Sequence, residues 1–166
     1  MKRGFFIGRF QPFHKGHLKC IKDALNEVEH VIIGIGSSQY SGVKENPFTA
    51  DERAEMIQAA LKQEKIIDYT IFFVPDINND EIWVEHVEGL VPDFQVLYTG
   101  NDHTAKLFKE KGYEVKIVNF VEGINGTSIR DSMVKDDEWE ELVPKPVLEI
   151  LKDLKAVKTL KKIFKQ

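Results

Sequence analysis

Five short apolar runs recur along the chain, and stretches with a helical spacing of apolar residues separate them. The first run is Phe5-Phe6-Ile7, closed by Gly8. The runs predict strands at about residues 3–8, 30–36, 69–74, 94–99 and 114–118. Helices are expected at about 16–28, 50–63, 80–90, 102–111, 127–134 and 145–152, with a last one from 153 to 164. Leu18, Ile21, Leu25 and Val28 carry the first helix, and Met56, Ile57 and Leu61 the second. Thr49-Ala50-Asp51-Glu52 is a capping box for that second helix. Strands alternating with helical crossovers indicate an α/β protein with a parallel sheet covered on both faces. Right-handed crossovers then give a Rossmann-like, doubly wound sheet, here followed by C-terminal helices. Such sheets bind ligands outside the carboxyl ends of their strands, at a switch point. Gly8, Gly36, Pro75-Asp76 and Gly100-Asn101 all follow predicted strands, so they should gather along one edge.

Composition narrows the picture in a few places. The 166 residues suit one domain over 1–166, with 145–166 as a helical extension packed on it. A net charge of -4 provides no basic field for general nucleic-acid binding, so a phosphate ligand needs a local site. Cys20 is the single cysteine, which rules out an internal disulfide and fits a reducing cytoplasm. The start Met1-Lys2-Arg3 followed by an apolar run is too short for a signal peptide, since Arg9 and Gln11 end it. No stretch approaches the roughly 20 apolar residues that span a bilayer. The last helix sets Lys155, Lys158, Lys161, Lys162 and Lys165 around Leu154, Val157, Leu160 and Phe164, which reads as an amphipathic helix with a solvated basic face.

The candidate chemistry begins at Gly8-Arg9-Phe10-Gln11-Pro12-Phe13-His14-Lys15-Gly16-His17. Two histidines three residues apart open the first helix, with Lys15 between them and Arg9 just before. Cations at a helix start oppose the macrodipole unless an anion sits there, and a helix N-terminus binds phosphate readily. Gly16 would let backbone approach a ligand. Zinc is a poor fit: His14, His17, Cys20 and Asp23 recur every three residues, and the helical twist carries Asp23 round to the side opposite His14. A second such start is Asn125-Gly126-Thr127-Ser128-Ile129-Arg130, with Thr127 as a natural cap and Arg130 where a capping box would place an acid. Taken alone, Arg130 would snorkel to solvent or pair with Asp131 or Glu122. Beside the first motif it reads as a two-pronged phosphate ligand. Gly34-Ile35-Gly36 lacks the third glycine of a dinucleotide fingerprint, which removes the dehydrogenase reading. The loop from Ser37 to Pro47 is expected to border a ligand cleft. Trp83, just past a strand end, either fills the core or stacks on a flat ring. Gly100 and Asn101 either frame an adenosine or form a strand-to-helix turn capped by Asp102.

These residues resemble the HxGH nucleotidyltransferases, and GRFQPFHKGH is similar to the archaeal-type nicotinamide mononucleotide (NMN) adenylyltransferases. The family's later segments match at Ser37-Ser38-Gln39, at Asn46 through Arg53, at Asp76 through Val84, at Tyr98 through Asn101, at Gly126 through Met133 and at Leu142 through Ile150. The resemblance spans almost the whole chain. It implies the HxGH nucleotidyltransferase fold, and adenylyl transfer from ATP to NMN by direct in-line attack, giving NAD and pyrophosphate, with Mg²⁺ carried by ATP. It assigns catalysis to His14, His17, Arg9 and Arg130. ATP would meet Gly8, Phe10, Gly16, Gly100, Asn101, Ile124 and Thr127. NMN would meet Ser37, Gln39, Asp80, Ile82 and Trp83, with Trp83 stacked on the nicotinamide. No protein metal ligand is assigned. A cytoplasmic homo-oligomer, commonly a hexamer, is implied, with no nucleic-acid or membrane partner.

The chain departs from the family pattern at four places. Asp80 stands where the family has asparagine, and Gly42 where it has histidine. Asp102-His103-Thr104 replaces Pro-Leu-Val, and Asp131 and Ser132 replace arginines. The first two fall on the acceptor side. Competing readings are a same-fold adenylyltransferase for nicotinate mononucleotide, a flavin phosphate or phosphopantetheine, and a non-catalytic nucleotide sensor.

Overall fold

A computed structural model describes residues 1–120 and 124–166. The elements run β1 (Arg3–Gly8), α1 (Lys15–Ala24), β2 (His30–Gly36), α2 (Ala50–Gln63), β3 (Tyr69–Val74) and α3 (Asp80–Glu88). They continue with β4 (Val96–Thr99), α4 (Asp102–Glu110), β5 (Glu114–Ile117), α5 (Gly126–Lys135), a 3-10 turn at Glu140–Leu142, α6 (Lys145–Asp153) and α7 (Ala156–Phe164). The chain divides into two compact units. One holds Met1–Gly8, Cys20–Ser38 and Asp68–Asn119; the other holds Arg9–Lys19, Gln39–Ile67 and Phe120–Gln166.

The first unit contains the whole sheet, five parallel strands in the order β3-β2-β1-β4-β5. The order reverses between β1 and β4, so the doubly wound expectation holds, with its switch point there. Because every strand runs the same way, Gly8, Gly36, Pro75 and Gly100 do fall on one edge. The central strands β1, β2 and β4 are buried nearly throughout, while β3 and β5 at the sheet edges are not. That is why the central strands read as continuous apolar runs rather than as alternation. One core cluster joins Phe5, Ile7, Ile32, Val74 and Leu97 of the strands to Val84 and Val87 of α3 and Phe108 of α4. Phe94 belongs to it as well, 4.9 Å ring to ring from both Phe5 and Tyr113.

The second unit is helical. In it α2 packs on α6, α6 on α7, and α5 on α7. Met56, Ile57, Leu61, Ile129, Met133, Val147, Leu151 and Leu160 of these helices are all buried. The capping box of α2 is present: Thr49 Oγ1 accepts from Glu52 N at 3.0 Å, and Thr49 N donates to Glu52 Oε1 at 2.9 Å. In α7, buried Ala156 and Leu160 leave Lys161 at the surface, where its ammonium reaches Asp136 at 2.7 Å.

Several expected boundaries move for identifiable reasons. Helix α1 stops at Ala24 instead of reaching 28. Asn26 N and Glu27 N turn back to Asp23 O and Ala24 O, the tighter spacing that closes a helix end. Strand β4 begins at Val96, because Phe94 is committed to the core beside α4. The cap of α5 is Asn125, whose Oδ1 accepts from Ser128 N at 2.8 Å, so Thr127 is already inside the helix. Arg130 therefore lies beyond the third helical position.

The packing at Gly34 gives a stability test. A Cβ there would lie 2.6 Å from Phe5 Cε1, and Phe5 is fully buried. Gly34→Ala should destabilise the protein by about 1–3 kcal/mol in urea unfolding, the usual range for overpacking. Gly89→Ala, whose Cβ would meet nothing closer than 3.5 Å, is the control and should unfold like wild type.

Candidate active site

The two histidines of the HxGH segment cap their own helix. His14 O accepts from Leu18 N at 3.1 Å, the first intrahelical bond, which makes His14 the cap residue. His14 Nδ1 accepts from His17 N at 3.3 Å, and His17 Nδ1 accepts from His14 N at 3.0 Å. This is the reciprocal pattern of a capping box, with imidazole nitrogens in place of hydroxyl and carboxylate oxygens. Each Nδ1 uses its lone pair on a backbone N–H, so in each neutral ring the proton sits on Nε2. The rings stack with centroids 3.5 Å apart and planes 21° from parallel. They are 1% and 7% exposed.

Burial lowers the His14 pKa to about 4. Burial, and then the neighbouring His14, lower that of His17 well below the usual histidine value. Two stacked imidazolium ions would also repel. The two rings thus enter as neutral donors rather than cations, which leaves Lys15 and Arg9 as the cations of the set read from sequence. Phe120 stands edge-on to both rings, at 5.0 and 5.2 Å, and Phe10 and Phe13 flank His17. Gly16 is explained locally. A Cβ there would come within 2.9 Å of both His14 Cε1 and Phe120 Cδ1. A side chain at Gly16 would therefore clash with the rings.

Arg130 reaches the same segment. Its Nη1 donates to Gln11 O at 2.7 Å, and its Nη2 lies 3.4 Å from Thr127 Oγ1. It is 5% exposed, so it does not snorkel. Burial and the Arg9 charge lower its pKa, while Asp131 and Glu45 act the other way. Glu122, the alternative partner read from sequence, lies outside the described residues. Gly126 is tight against this contact, with its missing Cβ 2.9 Å from Arg130 Nη1. Arg9 itself is exposed. Ile124 is half-buried and Gln39 exposed, both in this unit.

Two residues of this unit escaped sequence reasoning. Gln11 binds the Phe48 backbone twice: Nε2 donates to Phe48 O at 3.1 Å and Phe48 N donates to Oε1 at 2.9 Å. Arg53, fully buried, donates to Arg9 O at 3.0 Å, Thr49 O at 3.2 Å and Tyr40 O at 3.4 Å. Burial first, then Arg9, lowers its pKa to about 10. Its sequence signals were its place next to the capping box, where an arginine normally faces solvent, and the end of the matched segment Asn46 through Arg53.

The remaining expected residues lie in the unit that carries the sheet. Ser37, in the left-handed region at φ 48, is buried and donates from Oγ to Asp76 Oδ2 at 2.7 Å, tying the ends of β2 and β3 together. Trp83 is half-buried against the core cluster and lies 5.6 Å from the His86 ring. His86 Nε2 lies 3.0 Å from Pro75 O; a carbonyl only accepts, so that nitrogen carries the proton. Asn79 caps α3, its Oδ1 accepting from Glu81 N, so Asp80 is the first residue of the helix and not its cap. Asn101, not Asp102, caps α4 by accepting from Thr104 N at 2.9 Å, which engages its oxygen and leaves its amide NH₂ for other partners. Ile82 and Gly100 are exposed, and Gly8 is half-buried.

Comparison with known proteins shows what the whole chain is similar to. The cytidylyltransferase-like family model matches residues 5–141. A nicotinamide-nucleotide adenylyltransferase of Thermococcus sibiricus is 47% identical over 96% of this chain and 88% of its own length. That of Thermoplasma volcanium is 44% identical over 97% of this chain and 92% of its own. A crystal structure of a bifunctional NMN adenylyltransferase/ADP ribose pyrophosphatase from Francisella tularensis, complexed with AMP and a manganese ion, superposes with a TM-score of 0.79 at 23% identity. It covers 98% of this chain, which spans 51% of that protein, and at this identity the likeness is one of fold. The identity to the archaeal enzymes over nearly the full length, together with the matched family model, places the chain in the cytidylyltransferase-like family as a nicotinamide-nucleotide adenylyltransferase.

Proposed function

We propose that this chain transfers the adenylyl group of ATP to NMN, giving NAD and pyrophosphate, and that one nucleotidyltransferase domain over residues 1–166 performs the reaction. The observation that carries the reading is the reciprocal cap of His14 and His17, which turns a helix start into two neutral donors within a segment that Arg130 also grips. In the reading, the NMN phosphate attacks the α-phosphorus in line, and no covalent enzyme intermediate forms. Such transfer is mostly positioning and charge stabilisation. His14 and His17 donate from Nε2 to the phosphate chain, and Arg9 and Arg130 add charge as the pyrophosphate leaves. Gly8, Phe10, Gly16, Gly100, Asn101, Ile124 and Thr127 make up the ATP contacts, with the Asn101 amide NH₂ as one donor. Ser37, Gln39, Asp80, Ile82 and Trp83 serve NMN, and the half-buried Trp83 indole offers a flat face to nicotinamide.

A divalent metal accompanies ATP in this reaction, and we take it to be Mg²⁺. Among the described residues no group of three or more His, Cys, Asp or Glu side chains could hold an ion. In this reading the ion arrives with the nucleotide substrate. A cytoplasmic homo-oligomer, a hexamer by resemblance, completes the proposal. Among the described residues no helix is long and apolar enough to cross a membrane.

The direct test is pyrophosphate release from ATP with a panel of acceptors. NMN should give the highest rate, with NAD as product. Another acceptor in first place would move the assignment to that substrate, and ATP binding without release from any acceptor would favour a sensor.

His17→Ala should lower kcat by about 10²–10³ while weakening ATP binding far less, because the donor acts mainly where charge develops in the transition state. The same change removes a cap acceptor and should cost about 1 kcal/mol of stability in urea unfolding. Arg130→Lys should also lose most activity in steady-state assays, since a point charge does not replace a planar fork.

The buried histidines set a pH dependence of stability. Between about pH 6.5 and 4 the unfolded chain binds protons that folded His14 refuses, so stability falls as pH drops through that window. The difference of about 2.5 units corresponds to roughly 3 kcal/mol, lost in full only below the folded value. Unfolding of wild type and His14→Asn followed across this range should show the wild-type slope reduced in the variant, whose amide caps without titrating. Parallel slopes would contradict the assignment.

A further inference from the structure

Two positions that depart from the family pattern touch each other. His103 Nε2 lies 2.9 Å from Asp80 Oδ2, joining the first turn of α4 to the first residue of α3. A carboxylate only accepts, so His103 is the donor. Neither side chain is needed by its own helix, because Asn79 and Asn101 do the capping. Neither fills the core, with side chains 64% and 61% exposed. The two helices pack on each other within one unit, which brings the two side chains within reach. Asp80 also stands three residues before Trp83 on α3, the spacing that places helical side chains side by side.

We propose that the His103–Asp80 pair sets the preference between the amide and acid forms of the pyridine mononucleotide, with His103 acting through Asp80 as a positioning residue. The inference rests on the reading that Trp83 stacks on the acceptor ring. The Asp80 carboxylate accepts from a ring carboxamide NH₂ and repels a ring carboxylate. His103 donates to one carboxylate oxygen and draws off part of its charge, which moderates the repulsion while leaving the other oxygen for the amide. The preference for NMN is therefore strong but tempered.

The test is a double-mutant cycle read as the ratio of kcat/KM for NMN to kcat/KM for nicotinate mononucleotide. Asp80→Asn should narrow the ratio about tenfold, since an amide both donates and accepts. His103→Ala should widen it about two- to fivefold, the scale of one exposed hydrogen bond, chiefly by slowing the acid substrate. With Asp80→Asn already in place, His103→Ala should leave the ratio unchanged, and KM for ATP should stay at its wild-type value throughout. A structural role for His103 would instead shift both substrates alike. An unchanged or narrowed ratio in His103→Ala, or an equal shift in the Asp80→Asn background, overturns the inference. Wild-type NAD formation in the same assay separates the two levels: its absence defeats the functional reading, while its presence with unresponsive ratios defeats this inference alone.

Discussion

Everything proposed for the phosphate site depends on the pair of hydrogen bonds that His14 and His17 exchange with each other's backbone. A helix start has free N–H groups that need acceptors. Here the acceptors are imidazole Nδ1 atoms, and satisfying the backbone fixes the ring chemistry. A ring that gives Nδ1 to an N–H cannot also be protonated there, so capping and neutrality are one constraint. Burial and the 3.5 Å stack act in the same direction. The absence of a Cβ at Gly16 and the position of Phe120 follow from it, since both are shaped to the rings.

Positive charge is supplied by arginine instead. Arg130 hydrogen-bonds only neutral oxygens among the described residues, those of Gln11 and Thr127. Burial first, and then the Arg9 charge, depresses the pKa of both Arg130 and Arg53, so Arg9 opposes each of them before any anion arrives. A polyphosphate would relieve that opposition, which is a reason for affinity independent of any single contact. Arg53 and Gln11 support the arrangement through backbone atoms. Arg53 holds Arg9 O and Tyr40 O, and Gln11 holds both polar atoms of Phe48. The segment from Arg9 to Phe13 is thereby braced against the loop that leads into α2.

Much of this fold was legible in the sequence because its local signals agree with its tertiary structure. Apolar runs ended by glycine or proline became strands, and Thr49 with Glu52 became the expected cap. The helix register at Arg130 was misread because Asn125 competes with Thr127 for the cap, and the asparagine amide won. The histidine cap was hidden because histidine is a rare acceptor at helix starts, so the pattern suggested charge where the structure has neutral donors. Arg53 and Gln11 were invisible for another reason. Their partners are backbone carbonyls and amides far along the chain, which leave no mark in local composition. The same is true of Asp80 and His103, 23 residues apart, whose pairing only the packing of α3 on α4 reveals.

The central claim is that both histidines are neutral, with the proton on Nε2. Nitrogen-15 NMR of selectively labelled histidine rings reads tautomer and protonation directly. The account predicts that the His14 and His17 rings keep the shifts of the Nε2–H tautomer, with an unprotonated Nδ1, from pH 8 down to pH 5. Titration of either ring near the ordinary histidine value of about 6.5, or a proton on Nδ1 at neutral pH, would contradict it.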